Sequence, residues 1–431
     1  MDLKSQLESA LSSDQLRILH LVADEASQNG LPLYIIGGSV RDLILGSAIK
    51  DLDLTVEGDA ITLAQTLGEH HGGKVTAHKK FGTAKWFLPK EFRTESSDTL
   101  DLISARSEIY KHPVALPTVK MGSMDDDIRR RDFTINTLAV RLDGSHFGQL
   151  RDDLHGMDDL KSGIVRVLHE KSFIDDPTRV YRAVRYAGRY SFRVAEATLA
   201  LIPEAQPLVE KLSAQRIRHE LDLILEEWKA DSMLAQLAAL DLLKPIHHAL
   251  HYDESIHERL ENLDTYRGLQ HLSPWNITQG EQMNNSDLGW LLWLMSSSHD
   301  EITSLNARLH FTADLLASLY AVSMMFGDQS TYIGLKPSEC VERLESFPVN
   351  AVEAMSYIAK DSRVKELFDE YISKWRYIKP HTTGNELKAL GIEPGPRYAV
   401  ILRQLRNAWL DGDIKTNEEE ETLLKTLISD I

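Results

Sequence analysis

A single cysteine, Cys340, in 431 residues excludes an internal disulfide framework and any metal site built on several thiolates, and suits a reducing cytosol. The thiol is expected to be a packed core group. Long apolar runs are also missing. The longest, residues 289–295, falls far short of the roughly 20 residues needed to span a membrane. The first 28 residues carry acids and lack a cationic start followed by an apolar run, so a secretory leader is not expected. The cytoplasm is the expected location, with no membrane partner. Biased tracts are absent: 24 Gly and 14 Pro are scattered through a chain that is 42% hydrophobic and 26% charged, which excludes a mainly disordered or fibrous protein. An excess of positive charge is lacking too. The formal net charge of −17 excludes a protein that coats nucleic acid non-specifically, so any polyanion must be met by a local basic patch.

The length calls for two to four domains. Residues 13–28 read as an amphipathic helix, with Ser13 as its cap, Leu16, Leu19, Val22, Ala23 and Ala26 on one stripe, and Asn29-Gly30 as its stop. Strand-like runs follow at residues 33–36, 51–56, 84–88, 99–103 and 138–142. Their alternation with helical segments over the first 150 residues predicts an α/β or α+β head. Beyond Gly156 helical periodicity dominates, so the rest is expected to be all-α, with breaks at 271–285, 296–300 and 379–384.

The first chemical signal is Gly37-Gly38-Ser39-Val40-Arg41-Asp42, followed nine residues later by Asp51-Leu52-Asp53. A strand that runs into two glycines and then a helix over 40–45 lets backbone N–H groups face a phosphate, with Arg41 adding charge. Strand alternation points Asp51 and Asp53 to one side, where they can share divalent cations with a triphosphate. Either half alone describes a glycine turn or a surface acidic strand; the combination points to a nucleotide site. A third acid on a neighbouring strand suits two-metal chemistry, and Asp101 is the candidate.

A second cluster, Arg129 to Asn136, contains Arg131, which is suited to a phosphate. On a helix its Asp132 and Asn136 are i, i+4 neighbours able to hold a ribose hydroxyl. Three arginines after Asp125-Asp126-Asp127 equally describe a solvated, salt-bridged helix start. The third cluster opens with Asp175-Asp176-Pro177-Thr178-Arg179 and continues through Arg182, Arg185 and Arg189. At 100° per residue the four arginines cover roughly 120° of a helix, a basic stripe suited to phosphates. Asp176 and Arg179 would project side by side. A carboxylate there accepts from the exocyclic amino group of cytosine or adenine and repels the carbonyl of uracil or guanine. A helix cap followed by proline also accounts for Asp176.

In this order, the three clusters resemble those of the class II tRNA nucleotidyltransferases and the related bacterial poly(A) polymerases. The resemblance covers residues 31–225 and includes Asp51-x-Asp53, Arg-Arg-Asp-x-x-x-Asn at 130–136, a hinge-like stretch at 152–156, and Asp-Asp-x-x-Arg at 175–179, with a final neck helix at 213–226. It implies an α+β fold: an N-terminal catalytic head with a mixed or antiparallel sheet (1–150), then an all-α neck that reads the base (151–230), body (231–330) and tail (331–431). It further implies two magnesium ions held by Asp51 and Asp53 with Asp101 assisting. Gly37, Gly38, Arg41 and Arg131 would contact the nucleotide, Asp132 and Asn136 the ribose, and Asp176 and Arg179 the base, with Arg182 and Arg185 nearby. The implied reaction adds C or A from CTP or ATP to the 3′ end of tRNA, whose acceptor region the tail grips. The hinge departs from the family's Asp-Pro pattern, and Asp175 stands where many CCA-adding members have glutamate. Poly(A) synthesis and a non-catalytic RNA-binding role are the alternative readings.

Overall fold

The computed structural model describes residues 1–49, 52–94, 97–110, 112–115, 117–272 and 283–429, with backbone alone for 269–272. The chain forms two compact units, Met1–Ser213 and Ala214–Ile431. The first unit runs α1 (Lys4–Ala10), α2 (Ser13–Gln28), β1 (Leu33–Ile36), α3 (Gly38–Ile44), β2 (Asp53–Val56), α4 (Ala60–His71), β3 (Lys74–His78), β4 (Thr83–Phe87), β5 (Thr99–Ser104), β6 (Arg106–Ile109) and β7 (Thr118–Met121). It continues with α5 (Met124–Arg129), β8 (Ala139–Arg141), β9 (Gln149–Arg151), α6 (Gly156–Ser162), β10 (Ile164–Val165), α7 (Ser172–Asp175), α8 (Arg179–Tyr190), β11 (Arg193–Val194), α9 (Glu196–Leu199) and α10 (Ile202–Val209).

Seven strands form one mixed sheet in the order β3-β4-β5-β2-β1-β8-β9. β2 and β5 run parallel, and the other neighbours are antiparallel. This is the α+β head expected from the sequence. β1, Leu-Tyr-Ile-Ile, is buried at every position because it lies centrally with both faces covered. β5 alternates instead: Leu100 and Leu102 are buried, while Thr99, Asp101 and Ile103 point to the other face. α4 packs on β4 and β5 through Leu63, Ala64 and Leu67. The face opposite that core carries Asp101.

α2 has the bounds read from its periodicity, but its cap is Ser12 rather than Ser13. The Ser12 hydroxyl accepts from the Gln15 N–H at 3.2 Å, and the Gln15 side chain accepts from the Ser12 N–H at 2.9 Å. The helix after the glycines begins at Gly38, two residues before the expected 40. Strands β3, β6, β7 and β9 carry no apolar alternation strong enough to mark them.

The second unit is helical throughout its described residues, from Ala214–Leu225 to Asn417–Ser429. The apolar run at 289–295 belongs to the buried helix Asn285–Leu294, where Trp290 and Trp293 stack with centroids 5.3 Å apart. Cys340 is buried there as expected, and burial pushes its thiol up to about 12. Residues 273–282 of the expected 271–285 break lie outside the described residues. The break at 296–300 separates Asn285–Leu294 from His299–Leu309.

Candidate active site

At the end of β1 the chain turns at Gly37, with φ 84° and ψ −125°, before α3 begins. A side chain there would be strained, and it would also collide: a Cβ would stand 2.5 Å from Arg131 Nη1 and 3.3 Å from the Asn136 carbonyl oxygen. The glycine thus lets a guanidinium lie directly against the backbone. Arg41, one turn into α3, is buried and bridges two acceptors. Its Nε donates to Asp42 Oδ1 at 2.9 Å and its Nη1 donates to Asn136 Oδ1 at 2.5 Å.

Asp53, at the exposed start of β2, lies in register with Asp101 on parallel β5. Parallel partners point to the same face, and adjacent strands stand about 4.8 Å apart, so the two carboxylates overlook one space. Beside them opens a cleft of about 170 Å³ lined by Gln15, Lys85, Thr94, Ser97 and Thr99. Lys85 Nζ lies 3.2 Å from Asp101 Oδ2. Two carboxylates in register on one face, one of them paired with a lysine ammonium, are a donor set that suits an oxygen-liganded divalent ion. Asp51 lies outside the described residues. Among the described residues no group of three acidic, histidine or cysteine side chains is placed to hold a metal.

The 129–136 segment differs from the helix expected of it. α5 ends at Arg129, and only Thr134–Asn136 makes a single 3-10 turn. The Asp132–Asn136 pair is nevertheless formed, Asn136 Nδ2 donating to Asp132 Oδ1 at 2.9 Å. The other oxygen of Asp132 accepts from Arg182 Nε at 2.9 Å and Nη2 at 2.7 Å. A continuous chain therefore links Asp42, Arg41, Asn136, Asp132 and Arg182, from α3 across the turn to α8. Burial pushes the Asp132 carboxyl up, but the Arg182 charge and the bonds from Asn136 and Arg182 prevail and hold it below the usual carboxylate range. Asp127, fully buried, accepts from Arg130 Nε and Nη2 on one oxygen and from Arg131 Nε and Nη2 on the other. The arginines are thus salt-bridged, as the plainer reading held, but inside the protein.

The arginines of α8 are not the open phosphate-facing stripe their spacing suggests. Arg179 and Arg185 are buried. Arg179 does not simply extend beside Asp176: its Nη1 donates to Ser172 Oγ at 2.8 Å and its Nη2 to the Arg130 carbonyl at 2.9 Å. α8 begins at Arg179, and ahead of it the extended Asp176 makes the bond expected of a cap before Pro177: its Oδ1 accepts from the Thr178 N–H at 3.0 Å and hydroxyl at 2.6 Å. In the hinge-like stretch, Asp152 accepts from the N–H groups of Gly156 and Met157 at 2.7 and 3.1 Å, closing the turn into α6.

Several site residues escape sequence reasoning. Tyr186 and Tyr190, stacked on each other with centroids 6.3 Å apart, both pack against Arg41, whose guanidinium carbon lies 5.2 and 4.6 Å from their ring centroids. The Tyr190 hydroxyl donates to Asp42 at 3.0 Å, and burial, with Asp42 adding to it, pushes that phenol up to about 12. Their i, i+4 spacing on the Arg182 side of α8 was the available signal. Glu108 on β6, which accepts from Arg130 at 3.0 Å and from Tyr110 at 3.1 Å, had none.

Residues 33–166 match the poly A polymerase head domain, and residues 191–253 match a domain described as a probable RNA and SrmB binding site of polymerase A. The chain is 30% identical over 430 residues to the A-adding tRNA nucleotidyltransferase of Halalkalibacterium halodurans, covering 96% of this chain and 92% of that protein. It is 34% identical over 427 residues to the A-adding tRNA nucleotidyltransferase of Geobacter sulfurreducens, covering 94% of this chain but 46% of that longer protein. The structure of the Thermotoga maritima CCA-adding enzyme complexed with tRNA-CCA superimposes with a TM-score of 0.76 at 27% identity, over 100% of this chain and 98% of that one.

Proposed function

The chain belongs to the tRNA nucleotidyltransferase family, and from that premise we propose that it adds nucleotides without a template to the 3′ end of tRNA. ATP and CTP are the candidate donors. The relatives that align over 94% and 96% of this chain at 34% and 30% identity are A-adding, whereas CCA-adding enzymes align over 92% of it at 25%; the higher identity favours addition of the terminal adenosine to tRNA already ending in CC. The reaction is attack of the RNA 3′-hydroxyl on the α-phosphorus of ATP with release of pyrophosphate. The observation that carries the reading is the in-register pair Asp53 and Asp101, which shares the head with a glycine turn faced by an arginine.

Asp51 and Asp53, with Asp101 assisting, would hold two magnesium ions. The metal supplies neutralising charge to the triphosphate and acidifies the attacking hydroxyl. The Gly37 and Gly38 backbone, Arg41 and Arg131 face the triphosphate. Asp132 and Asn136 meet the ribose while fixing Arg41 and Arg182. Asp176 and Arg179 read the base edge, with Arg182 and Arg185 behind them, which requires Arg179 to exchange its present bonds to Ser172 and the Arg130 carbonyl for the base. The tRNA acceptor region is the partner and the cytoplasm the place of action. No helix among the described residues is long and apolar enough to cross a membrane.

The test offers tRNA lacking its terminal A, or all of CCA, with ATP and CTP separately and together. One adenosine on CC-ended tRNA is the expected product. Uptake of cytidine by the shorter tRNA would replace the A-adding reading with a CCA-adding one, and long tails from ATP alone would replace it with poly(A) synthesis. Asp53→Ala and Asp101→Asn should each lower incorporation by at least about a hundredfold, the scale expected for removing a transition-state charge contact. Near-normal turnover in both, or full activity in a chelator, would remove the metal assignment.

A further inference from the structure

The row that contains the two acids does not stop at Asp101. Antiparallel register continues it from Asp53 and Asp101 to Lys85 on β4 and Thr76 on edge strand β3. The next row on the same face holds Thr99, Phe87 and Lys74. Lys74, Thr76 and His78 on β3 are exposed, so this end of the sheet face is open next to the acids. The two large apolar side chains here are exposed as well, Phe87 at 41% and Phe81, in the β3–β4 turn, at 49%. Lys80 in that turn stands 5.6 Å from the Phe81 ring centroid.

Charge sets this segment apart. Residues 74–90 hold five lysines and one histidine and no acid, in a chain whose formal net charge is −17. Phosphates bind where lysines gather, and exposed aromatic rings beside them stack unpaired bases. That is the combination by which proteins hold single-stranded nucleic acid. A paired helix cannot offer its base faces, so the occupant must be unpaired.

Resting on the proposed function, we propose that the outer face of β3 and β4 and the turn between them form the track for the unpaired 3′-terminal nucleotides of the RNA. Phe81 and Phe87 stack bases and Lys74, Lys79 and Lys80 meet phosphates. Lys85 marks the junction with the reaction centre. Its ammonium now pairs with Asp101, and a divalent cation on the acids would release it towards the phosphate of the last nucleotide. The register delivers that strand along the row that ends at Asp53.

Two measurements test the track. A CC-ended tRNA with a photoreactive thionucleotide near its 3′ end, irradiated with the full-length protein in the absence of ATP, should cross-link to residues 74–90. The triple variant Lys79→Ala/Lys80→Ala/Phe81→Ala, confined to the exposed turn and checked for native circular dichroism, should raise KM for tRNA about tenfold, the scale of one lost stack and one or two phosphate contacts. KM for ATP should stay where it is. Cross-links mapping elsewhere, or an unchanged KM for tRNA, overturn the track. A rise confined to KM for ATP also overturns it, assigning the lysines to the triphosphate. If the wild-type protein fails to extend any tRNA, the proposed function falls instead, and the cross-link, which needs no nucleotide, still decides the surface.

Discussion

Gly37 shows how much of the site depends on an atom that is absent. Its φ of 84° and the 2.5 Å approach of Arg131 Nη1 to the missing Cβ are two separate demands for glycine at one position. Gly37→Ala should cost about 1–3 kcal/mol through backbone strain and push the Arg131 guanidinium aside. Incorporation should fall further than the loss of stability accounts for. A thermal melt and a turnover assay on the same preparation check this, and a variant that keeps both Tm and turnover would separate the turn from the nucleotide site. The need for glycine was legible in the sequence as Gly-Gly between a strand and a helix. The identity of the group pressing on it was not, because nothing local links residue 37 to residue 131.

At the scale of elements, α8 is tied to the head by Asp132, whose two oxygens divide between the turn that carries it and Arg182 on the helix. Removing one charge from a buried pair strands the other, so Asp132→Asn should destabilise the first unit by about 3 kcal/mol, the low end for such a loss because the Arg182 side chain is 30% exposed. The pH dependence follows from the lowered carboxyl of Asp132. A group held below its unfolded value, about 3.9, contributes fully above that value and loses its contribution as pH falls through the folded one. The urea midpoints of wild type and variant should therefore differ by a constant amount from pH 5 to 8 and converge in stronger acid. A gap that opens or closes around pH 6 would point to a different titrating group. Spacing paired Asp132 with Asn136, and the bond forms although the segment is a 3-10 turn and not the helix that spacing assumed; the arginines of α8 were legible because i, i+3 and i, i+4 relations are local. It misjudged which way those arginines face, because an amphipathic helix whose inner face is polar looks like one whose outer face is. Asp127 shows the same limit: amid three acids and three arginines, nothing local marks it as the buried one. β3 was missed because its alternation, Lys-Val-Thr-Ala-His, spans five residues and rests on two small, half-buried apolar side chains.

For the whole molecule, a net charge of −17 repels RNA at a distance, so capture depends on a few local contacts rather than on a basic surface. Each single-strand phosphate met by a lysine contributes about 0.7 to the slope of log affinity against log salt. Three such contacts, from Lys74 on β3 and Lys79 and Lys80 in the turn, amount to a slope of about 2, against the value near 10 reached by proteins that neutralise a long stretch of duplex. The KM for tRNA, followed as potassium chloride is raised, should rise with a modest slope, and Lys79→Ala/Lys80→Ala should flatten it by about 1.4, two contacts' worth. KM for ATP should depend on salt alike in both proteins, because the arginines assigned to the triphosphate are untouched. A slope that the double variant leaves unaltered would move RNA capture away from the edge of the sheet, since no other explanation of that result keeps those lysines on phosphates.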